Sequence, residues 1–370
     1  MKITCLRQIL VEAVLNVQKA VSTKSCLAAL EGILIKTKEN MISLCGYDLE
    51  LGITTEIPAT VEIPGQIVIN AKLLSDIIRK APAETVTISV DEKLIATISS
   101  APAEFSLVGI SPADYPEMPK LTDAEKLSVD CSTLKGMIRQ TIFATSENDV
   151  KPINTGTLFE ISQNELKLVS VDGYRLALRK EPVLNDKEMK FVVPGKTLSE
   201  ILKLLPESDE ANIEISVGKK HIIFYVDTYC VVSRLLEGDF LDYKAAIPGS
   251  HSTEVVVNTK NMIECIERVS LVVTDRLKSP IRCLFADNSA KFSCITNIGK
   301  ANDELSANMQ GDGLEIGFNN KYLVDALKNT ECDEVKIQLN GPLSPMKIVP
   351  TNGDAFVFLV LPVRLKASEE

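Results

Sequence analysis

The chain has 370 residues, of which 45% are hydrophobic and 24% charged, and it carries a formal net charge of −10 at pH 7. This composition is that of an ordinary soluble globular protein with two or three domains, and it excludes a disordered chain. The acid excess also argues against a protein that holds nucleic acid mainly through phosphate contacts, because such proteins cluster Lys and Arg.

The N-terminal stretch MKITCLRQILVEAV contains Glu12 within its apolar run and lacks a small-residue cleavage site, and nowhere do 18 apolar residues follow one another. We therefore expect neither a signal peptide nor a membrane span, and we predict a cytoplasmic protein. The nine cysteines are scattered singly without a CxxC pair. This spacing predicts reduced, mostly buried thiols rather than zinc ligands or a disulfide framework.

One short pattern recurs along the chain at intervals of about 60 to 64 residues. Two residues after each start stands Leu or Met, the fourth residue is acidic in five copies, and the fifth and sixth are apolar. In the third copy Gly136 stands where the acid is expected. The starts are Gln8, Lys72, Ser132, Lys196, Lys260 and Lys321. A fixed period of this length is the mark of a repeated structural unit.

Each copy predicts the same local structure. A short apolar strand such as IVIN leads into an amphipathic helix of about 10 to 12 residues, and three alternating strands separated by turns follow. The unit is βαβββ, and six units pair into three α+β domains of about 120 residues. Loop-like stretches at 111–126 and 245–254 predict domains at 1–124, 125–250 and 251–370.

The exposed face of the predicted helices is basic. The start residue and the one seven positions later lie almost above one another on a helix. These pairs are Lys72/Arg79, Lys196/Lys203, Lys321/Lys328 and Lys260/Glu267, and Lys135/Arg139 form a similar pair four residues apart in the third copy. For a single helix this pattern is typical of an ordinary solvated face, but its recurrence favours a shared basic surface.

Four further motifs stand in order along the chain: GYDLE at 46–50, SVDGYRLA at 170–177, EGDFLDY at 237–243 and FLVLPVRL at 358–365. Together with the six βαβββ units they resemble the bacterial DNA polymerase III beta subunit family, the replicative sliding clamps. The resemblance implies a head-to-tail dimer that closes a ring, with sheets outside, helices lining the hole and duplex DNA threaded through it. It also implies a processivity factor without catalytic activity or cofactor.

The expected size of the domains is compatible with a ring around DNA. A domain of about 120 residues is roughly 35 Å across, so six domains enclose a hole wider than a duplex, whereas three leave a gap of only about 5 Å. Two chains are therefore needed to encircle DNA. A ring linked by topology needs little affinity, so a modestly basic inner face suffices while the acid excess faces outward.

The resemblance assigns residues to three surfaces. The DNA-facing set combines the basic helix residues with two loop positions: Lys24, Lys72, Arg79, Lys135, Arg139, Asn148, Lys196 and Lys203. A groove for short apolar peptides of partner proteins, between the second and third domains, comprises Val171, Gly173, Tyr174, Arg175, Leu176, Leu241, Asn319, Tyr322, Leu343, Leu361, Pro362, Val363 and Arg364. The dimer interface includes Leu271 and Val272, which equally suit the end of a core-facing helix.

The groove assignment departs from the family pattern at three positions and after residue 365, where KASEE follows the usual terminal leucine. Tyr174 stands where histidine is common, Leu241 replaces a frequent proline, and Asn154 sits where an apolar residue often lines the groove. Ordinary core packing is the alternative for any single apolar member, above all Leu176 and Val363. The implied partners are DNA polymerase III alpha subunit, the clamp loader, and other polymerases and repair proteins.

Enzymatic function is not predicted. The two histidines, His221 and His251, are in no metal-ligand spacing, and no GxSxG, Walker or GxGxxG motif occurs. Cys230 and His221 are close in sequence but fit buried strand positions better than a nucleophile pair. The alternative function is a protein-binding scaffold that does not enclose DNA, which the acidic charge permits.

Overall fold

The computed structural model describes residues 1–147, 150–185, 187–206, 211–274 and 279–365. Within them the predicted βαβββ unit occurs six times. The helices begin at residues 7, 71, 131, 195, 259 and 320, one residue before each start of the sequence pattern. The predicted fold class, α+β with antiparallel sheets, is confirmed.

The first two units share an additional short strand, β5, between them. Their elements are β1 (Lys2–Leu6), α1 (Arg7–Val17), β2 (Gly32–Lys38), β3 (Met41–Tyr47), β4 (Leu51–Pro58), β5 (Thr60–Ile63), β6 (Gln66–Asn70), α2 (Ala71–Lys80), β7 (Thr85–Val90), β8 (Ile95–Ser100) and β9 (Ala103–Val108). Short 3₁₀ turns lie at Gln18–Ala20, Ala28–Glu31 and Pro112–Asp114.

The middle two units are followed by a four-residue helix, α5, in the connection to the fifth unit. The elements are β10 (Glu125–Asp130), α3 (Cys131–Ile142), β11 (Gly156–Ser162), β12 (Glu165–Val171), β13 (Arg175–Pro182), β14 (Met189–Pro194), α4 (Gly195–Leu204), β15 (Asn212–Val217), β16 (His221–Val226), β17 (Tyr229–Arg234) and α5 (Tyr243–Ala246). A 3₁₀ turn at Pro152–Thr155 precedes β11.

The last two units again contain an additional strand, β22. The elements are β18 (Thr253–Asn258), α6 (Thr259–Val269), β19 (Ile281–Ala286), β20 (Ser289–Thr296), β21 (Gly299–Ser306), β22 (Asn308–Gly311), β23 (Leu314–Phe318), α7 (Asn320–Lys328), β24 (Glu334–Leu339), β25 (Met346–Pro350) and β26 (Phe356–Val360). A 3₁₀ turn at Ser270–Val272 follows α6.

The chain divides into two compact units, one formed by residues 1–132 and 199–235 and the other by 133–198 and 236–370. The first unit holds a five-stranded sheet, β5-β1-β7-β8-β9, and an eight-stranded sheet, β10-β15-β16-β17-β4-β3-β2-β6. The second holds a nine-stranded sheet, β14-β11-β12-β13-β26-β25-β24-β18-β22, and a four-stranded sheet, β21-β20-β19-β23. The predicted central domain, 125–250, is thus divided between two continuous sheets.

The repeated pattern explains the helix packing. The Leu or Met two residues after each start is fully buried in all six helices. These residues are Leu10, Leu74, Leu134, Leu198, Met262 and Leu323. Because apolar residues three and four apart share one helix face, each helix rests on its sheet through the predicted stripe. Helices α1 and α2 also pack together in the first unit, as do α6 and α7 in the second.

Asparagine side chains define the start of three of these helices. Oδ1 of Asn70 accepts a hydrogen bond from the backbone N–H of Leu73, Asn258 does the same for Asn261, and Asn319 caps α7 in the same way. Such N-caps satisfy helix N–H groups that have no partner within the helix. The cap fixes where each helix begins, and with it which side chains face outward.

Candidate peptide groove and basic helix faces

The predicted basic pair on α2 is exposed as expected. Lys72 and Arg79 are both exposed, and so is Lys24, which lies in the loop between α1 and β2. Leu74 and Ile78 on the opposite side of α2 are fully buried. The helix therefore presents its two cations to solvent because its apolar stripe is used against the core.

Helix α3 departs from the prediction. Arg139 is exposed, but Lys135 is only 8% exposed, so the two do not form an exposed pair. The reason is its place on the helix: Lys135 follows the buried Leu134 and precedes the buried Ile138 by three residues, at the margin of the apolar stripe. Asn148, the other predicted residue of this region, lies outside the described residues.

The other helices also carry basic residues, but some of these cations are paired with acids. Lys196 and Lys203 on α4 are exposed, and Nζ of Lys203 lies 2.7 Å from Glu200 of the same helix. Glu267 on α6 is the acid that interrupts the pattern, and Lys328 of the neighbouring α7 pairs with it at 2.7 Å. The Lys328–Glu267 pair is exposed on both sides and adds little stability, whereas the Glu200 side chain is only 15% exposed. Both acids offset positive charge on the helix faces.

The groove region is organised by a tight turn between β12 and β13. Oδ1 of Asp172 accepts hydrogen bonds from the backbone N–H groups of Tyr174 and Arg175, at 2.9 and 3.0 Å. Gly173 between them has φ +92°, in the left-handed region that favours glycine. The VDGYR sequence thus makes an Asx-type turn that presents the Tyr174 side chain, 60% exposed, at the surface.

Arg175 is predicted to line the groove, but its guanidinium is engaged inward. Nε lies 2.9 Å from Asp172 and Nη1 2.5 Å from Asp325 of α7, and the side chain is only 12% exposed. Its Cζ lies 4.8 Å from the centre of the Tyr322 ring. A planar guanidinium can contact two carboxylates and a ring face at the same time. Because Asp325 and Tyr322 are on α7, these contacts hold β13 against α7.

Two tyrosines form an aromatic surface above this arginine. The rings of Tyr174 and Tyr322 stack with centres 5.7 Å apart and planes at 19°. Burial raises the pKa of Tyr322, and the nearby charge of Asp172 adds to the effect, so the phenol stays neutral. Oδ1 of Asn319 accepts from the N–H groups of Lys321 and Tyr322, which fixes the first turn of α7 under the stack.

The segment after β26 carries four of the predicted groove residues and lies beside the β12–β13 turn. The N–H of Leu361 donates to the backbone oxygen of Tyr174, and the N–H of Val363 donates to that of Gly317, both at 2.8 Å. The Leu361 and Val363 side chains are exposed, and Arg364 is exposed between Val363 and Leu365. This segment is therefore held by its backbone while its side chains remain available.

Some of the remaining predicted groove residues are buried and others are exposed. Val171 and Leu176 are buried, and Leu176 belongs to a core cluster with Leu359 and Tyr243, so ordinary packing describes these two. Leu241 and Leu343 are exposed large apolar side chains, and Pro362 is half-buried. The exposed members and the tyrosine stack form the accessible part of the predicted groove set.

The proposed dimer residues differ from one another. Leu271 is 81% exposed in the turn after α6, whereas Val272 is half-buried and packs against the core of its unit. In the first unit the edge strand β9 carries the exposed apolar residues Phe105 and Val108, which we had not singled out from the sequence. An edge strand with outward apolar side chains is a surface suited to pairing, but the edge position of β9 depends on the strand order of the sheet and cannot be read from the sequence.

In the part of the chain that the structure describes, no group of three or more His, Cys, Asp or Glu side chains is arranged to hold a metal ion. Within the same residues, every helix is too short or too polar to cross a bilayer.

Six βαβββ units in three domains, with antiparallel sheets, are the architecture of a DNA sliding clamp. The sequence matches the DNA polymerase III beta subunit along its length: the N-terminal domain over residues 1–119, the central domain over 128–242 and the C-terminal domain over 244–364. The chain belongs to the DNA polymerase III beta subunit family.

Individual relatives agree with this assignment. The chain is 34% identical to the beta sliding clamp of Bacillus subtilis strain 168, over 98% of this chain and 100% of that one. The crystal structure of the Bacillus subtilis clamp superposes with a TM-score of 0.95, covering 99% of this chain and 100% of that chain. A putative DNA polymerase III beta subunit from Eubacterium rectale, 37% identical, gives 0.94 with the same coverage of each chain.

Proposed function

We propose that two copies of this chain join head to tail into a ring that encircles duplex DNA and carries DNA polymerase III and other replication or repair proteins along it. The observation that carries the proposal is the recurrence of exposed cations, among them Lys72, Arg79, Lys196 and Lys203, on helices of one repeated unit. A duplex threaded through such helices meets a positive but sparse surface, which favours sliding over tight binding.

Exposed apolar residues support the dimer. Leu271 in the second compact unit and Phe105 and Val108 in the first are large side chains facing solvent in the single chain. A head-to-tail contact joins two different surfaces, and a pair of such contacts closes a ring of two subunits. We assign these residues to that contact.

The groove supports the partner assignment. Tyr174 and Tyr322 supply a stacked aromatic surface, and Leu241, Leu343 and Leu361 supply exposed apolar contacts near polar anchors. This combination suits a short linear motif, whose side chains bury area while its backbone needs only a few hydrogen bonds. The role is mechanical, without catalysis or cofactor, and we place the protein in the cytoplasm with the replicated DNA.

Truncation before Leu361 tests the groove. The probe is a fluorescein-labelled peptide carrying the clamp-binding motif of a DNA polymerase III alpha subunit, followed by fluorescence polarisation. The truncated protein is expected to lose peptide binding and to keep its oligomeric mass by light scattering. Unchanged peptide affinity in a folded truncated protein would show that the groove is assigned to the wrong surface.

A further inference from the structure

A buried acid lies beneath the segment that carries Leu241. Glu160 is on β11, between β12 and β14 in the nine-stranded sheet, and it is only 9% exposed. Burying a carboxylate is costly unless it is paired and hydrogen-bonded, so its partners identify what it holds.

Both partners of Glu160 come from α5, more than 80 residues later in the chain. The hydroxyl of Tyr243 donates to Oε1 of Glu160 at 3.0 Å, and Nζ of Lys244 lies 2.8 Å from the same oxygen. Nζ of Lys244 also lies 5.6 Å from the centre of the Tyr243 ring. Hydrogen bonds to a charged acceptor are among the stronger ones in proteins, so this is a defined attachment point.

Tyr243 connects this attachment to the groove. It is buried in the cluster that contains Leu176 and Leu359, and it follows the exposed Leu241 by two residues. At the other end of the segment, the N–H of Leu236 donates to the backbone oxygen of Val192 at 3.0 Å. Between these two points the segment belongs to no strand, and apart from its two ends it is held by Phe240, which packs against the same cluster.

We infer that Glu160 is a positioning residue for the peptide groove: through Tyr243 and Lys244 it holds α5 on the sheet and so sets the position of Leu241. The inference rests on the proposed role of the groove. Glu160 is itself buried, and its Oε1 is engaged by Tyr243 and Lys244, so we assign it no direct contact with the peptide.

A double-mutant cycle on peptide affinity tests this, using the labelled alpha-subunit peptide and the full chain. Tyr243→Phe removes only the hydroxyl, and we expect it to weaken peptide binding by about three- to tenfold, the range of one lost hydrogen bond. In a Leu241→Ala background the same change should weaken binding by less than about twofold, because residues that act through one another are not additive. Glu160→Gln, which keeps an acceptor for Tyr243 but no charge, should fall between wild type and Glu160→Ala.

Tyr229→Phe is the matched control. It removes a hydroxyl that accepts from Nδ2 of Asn16 at 2.8 Å in the other compact unit, and it should leave peptide affinity unchanged. Equal losses from Tyr243→Phe with and without Leu241, or no loss at all, would overturn the inference while leaving the groove intact. Failure of the wild-type protein to bind the peptide would instead overturn the groove proposal and this inference with it.

Discussion

At the scale of single residues, Arg175 is where strand β13 and helix α7 meet. One guanidinium contacts Asp172 in its own turn, Asp325 on α7 and the face of Tyr322. The sequence motif predicts this residue to be part of the groove region. It does not reveal that the charge points inward, because that depends on Asp325, which is 150 residues away.

Replacing Arg175 by Lys tests that role. A single ammonium group cannot contact both carboxylates and lie flat on the ring, so we expect the free energy of unfolding to fall by about 1 to 3 kcal/mol. Peptide affinity should fall as well, because Tyr322 loses its support. Arg282→Lys, at a guanidinium whose partner Glu315 is half-exposed, is the control and should cost less than about 1 kcal/mol. Equal losses for the two variants in urea denaturation would contradict this account.

The cysteines give a second prediction at this scale. All nine are free, and Cys26 is exposed, whereas Cys5 and Cys283 are buried. Burial raises the pKa of the Cys5 thiol to about 12 and raises that of Cys283 further, so neither supplies thiolate near neutral pH. Ellman's reagent at pH 8 should label Cys26 rapidly and the buried thiols only after denaturation. A Cys26→Ser protein that still reacts rapidly with a full equivalent would refute the predicted order.

At the scale of secondary-structure elements, one amphipathic helix recurs six times in the described chain, and each copy packs on a sheet. The sequence period predicted each helix to within a residue of its start, since the apolar stripe and the start residue have a fixed spacing. The burial of Lys135 was not predicted, because the basic pair with Arg139 was assigned from charge and spacing, without regard to the place of Lys135 beside Leu134 and Ile138 on the apolar stripe. The asparagines before α2, α6 and α7 were an unused signal for the helix starts.

Two neighbouring leucines on α2 test the stripe directly. Leu74 is fully buried, whereas Leu73 is 49% exposed. We expect Leu74→Ala to lower the free energy of unfolding by about 2 to 5 kcal/mol, through lost burial and a cavity. Leu73→Ala should change it by less than about 0.5 kcal/mol. Denaturation curves in which the two variants lose similar stability would show that α2 is rotated from the position described.

Sheet pairing could not be predicted from the repeat. The short strands β5 and β22 are mostly exposed and lie outside the βαβββ pattern, although each pairs with the first strand of its neighbouring unit. The continuous eight- and nine-stranded sheets arise from pairs such as β17 with β4 and β13 with β26. Such pairs join residues far apart in sequence, and no local pattern sets their register.

At the scale of the whole molecule, the net charge of −10 has to be reconciled with DNA as a partner. A ring resolves the conflict, because a protein linked to DNA by topology is retained without the strong phosphate contacts that a tight binder needs. The sequence allowed this argument before the structure. The dimer contact was harder to predict from the sequence, because an exposed leucine cannot be distinguished there from a buried one.

The dimer gives a prediction at this scale. Light scattering should report twice the chain mass of 40.5 kDa for the wild-type protein. Leu271→Asp should shift the mass toward the single chain, because it places a charge in an apolar contact. Leu184→Asp, at another fully exposed leucine, is the control and should leave the mass unchanged. A wild-type protein that stays at the mass of one chain at micromolar concentration would contradict the ring.

Retention on circular DNA tests the central claim most directly. Labelled protein is loaded onto a nicked circular plasmid with a bacterial clamp loader and ATP, separated by gel filtration, and separated again after a restriction enzyme has cut the circle. The ring account predicts that the protein elutes with the intact circle and is released once the DNA is linear, because it slides off the ends. Protein that remains on the DNA after cutting would be held by affinity rather than by enclosure, and would contradict the account.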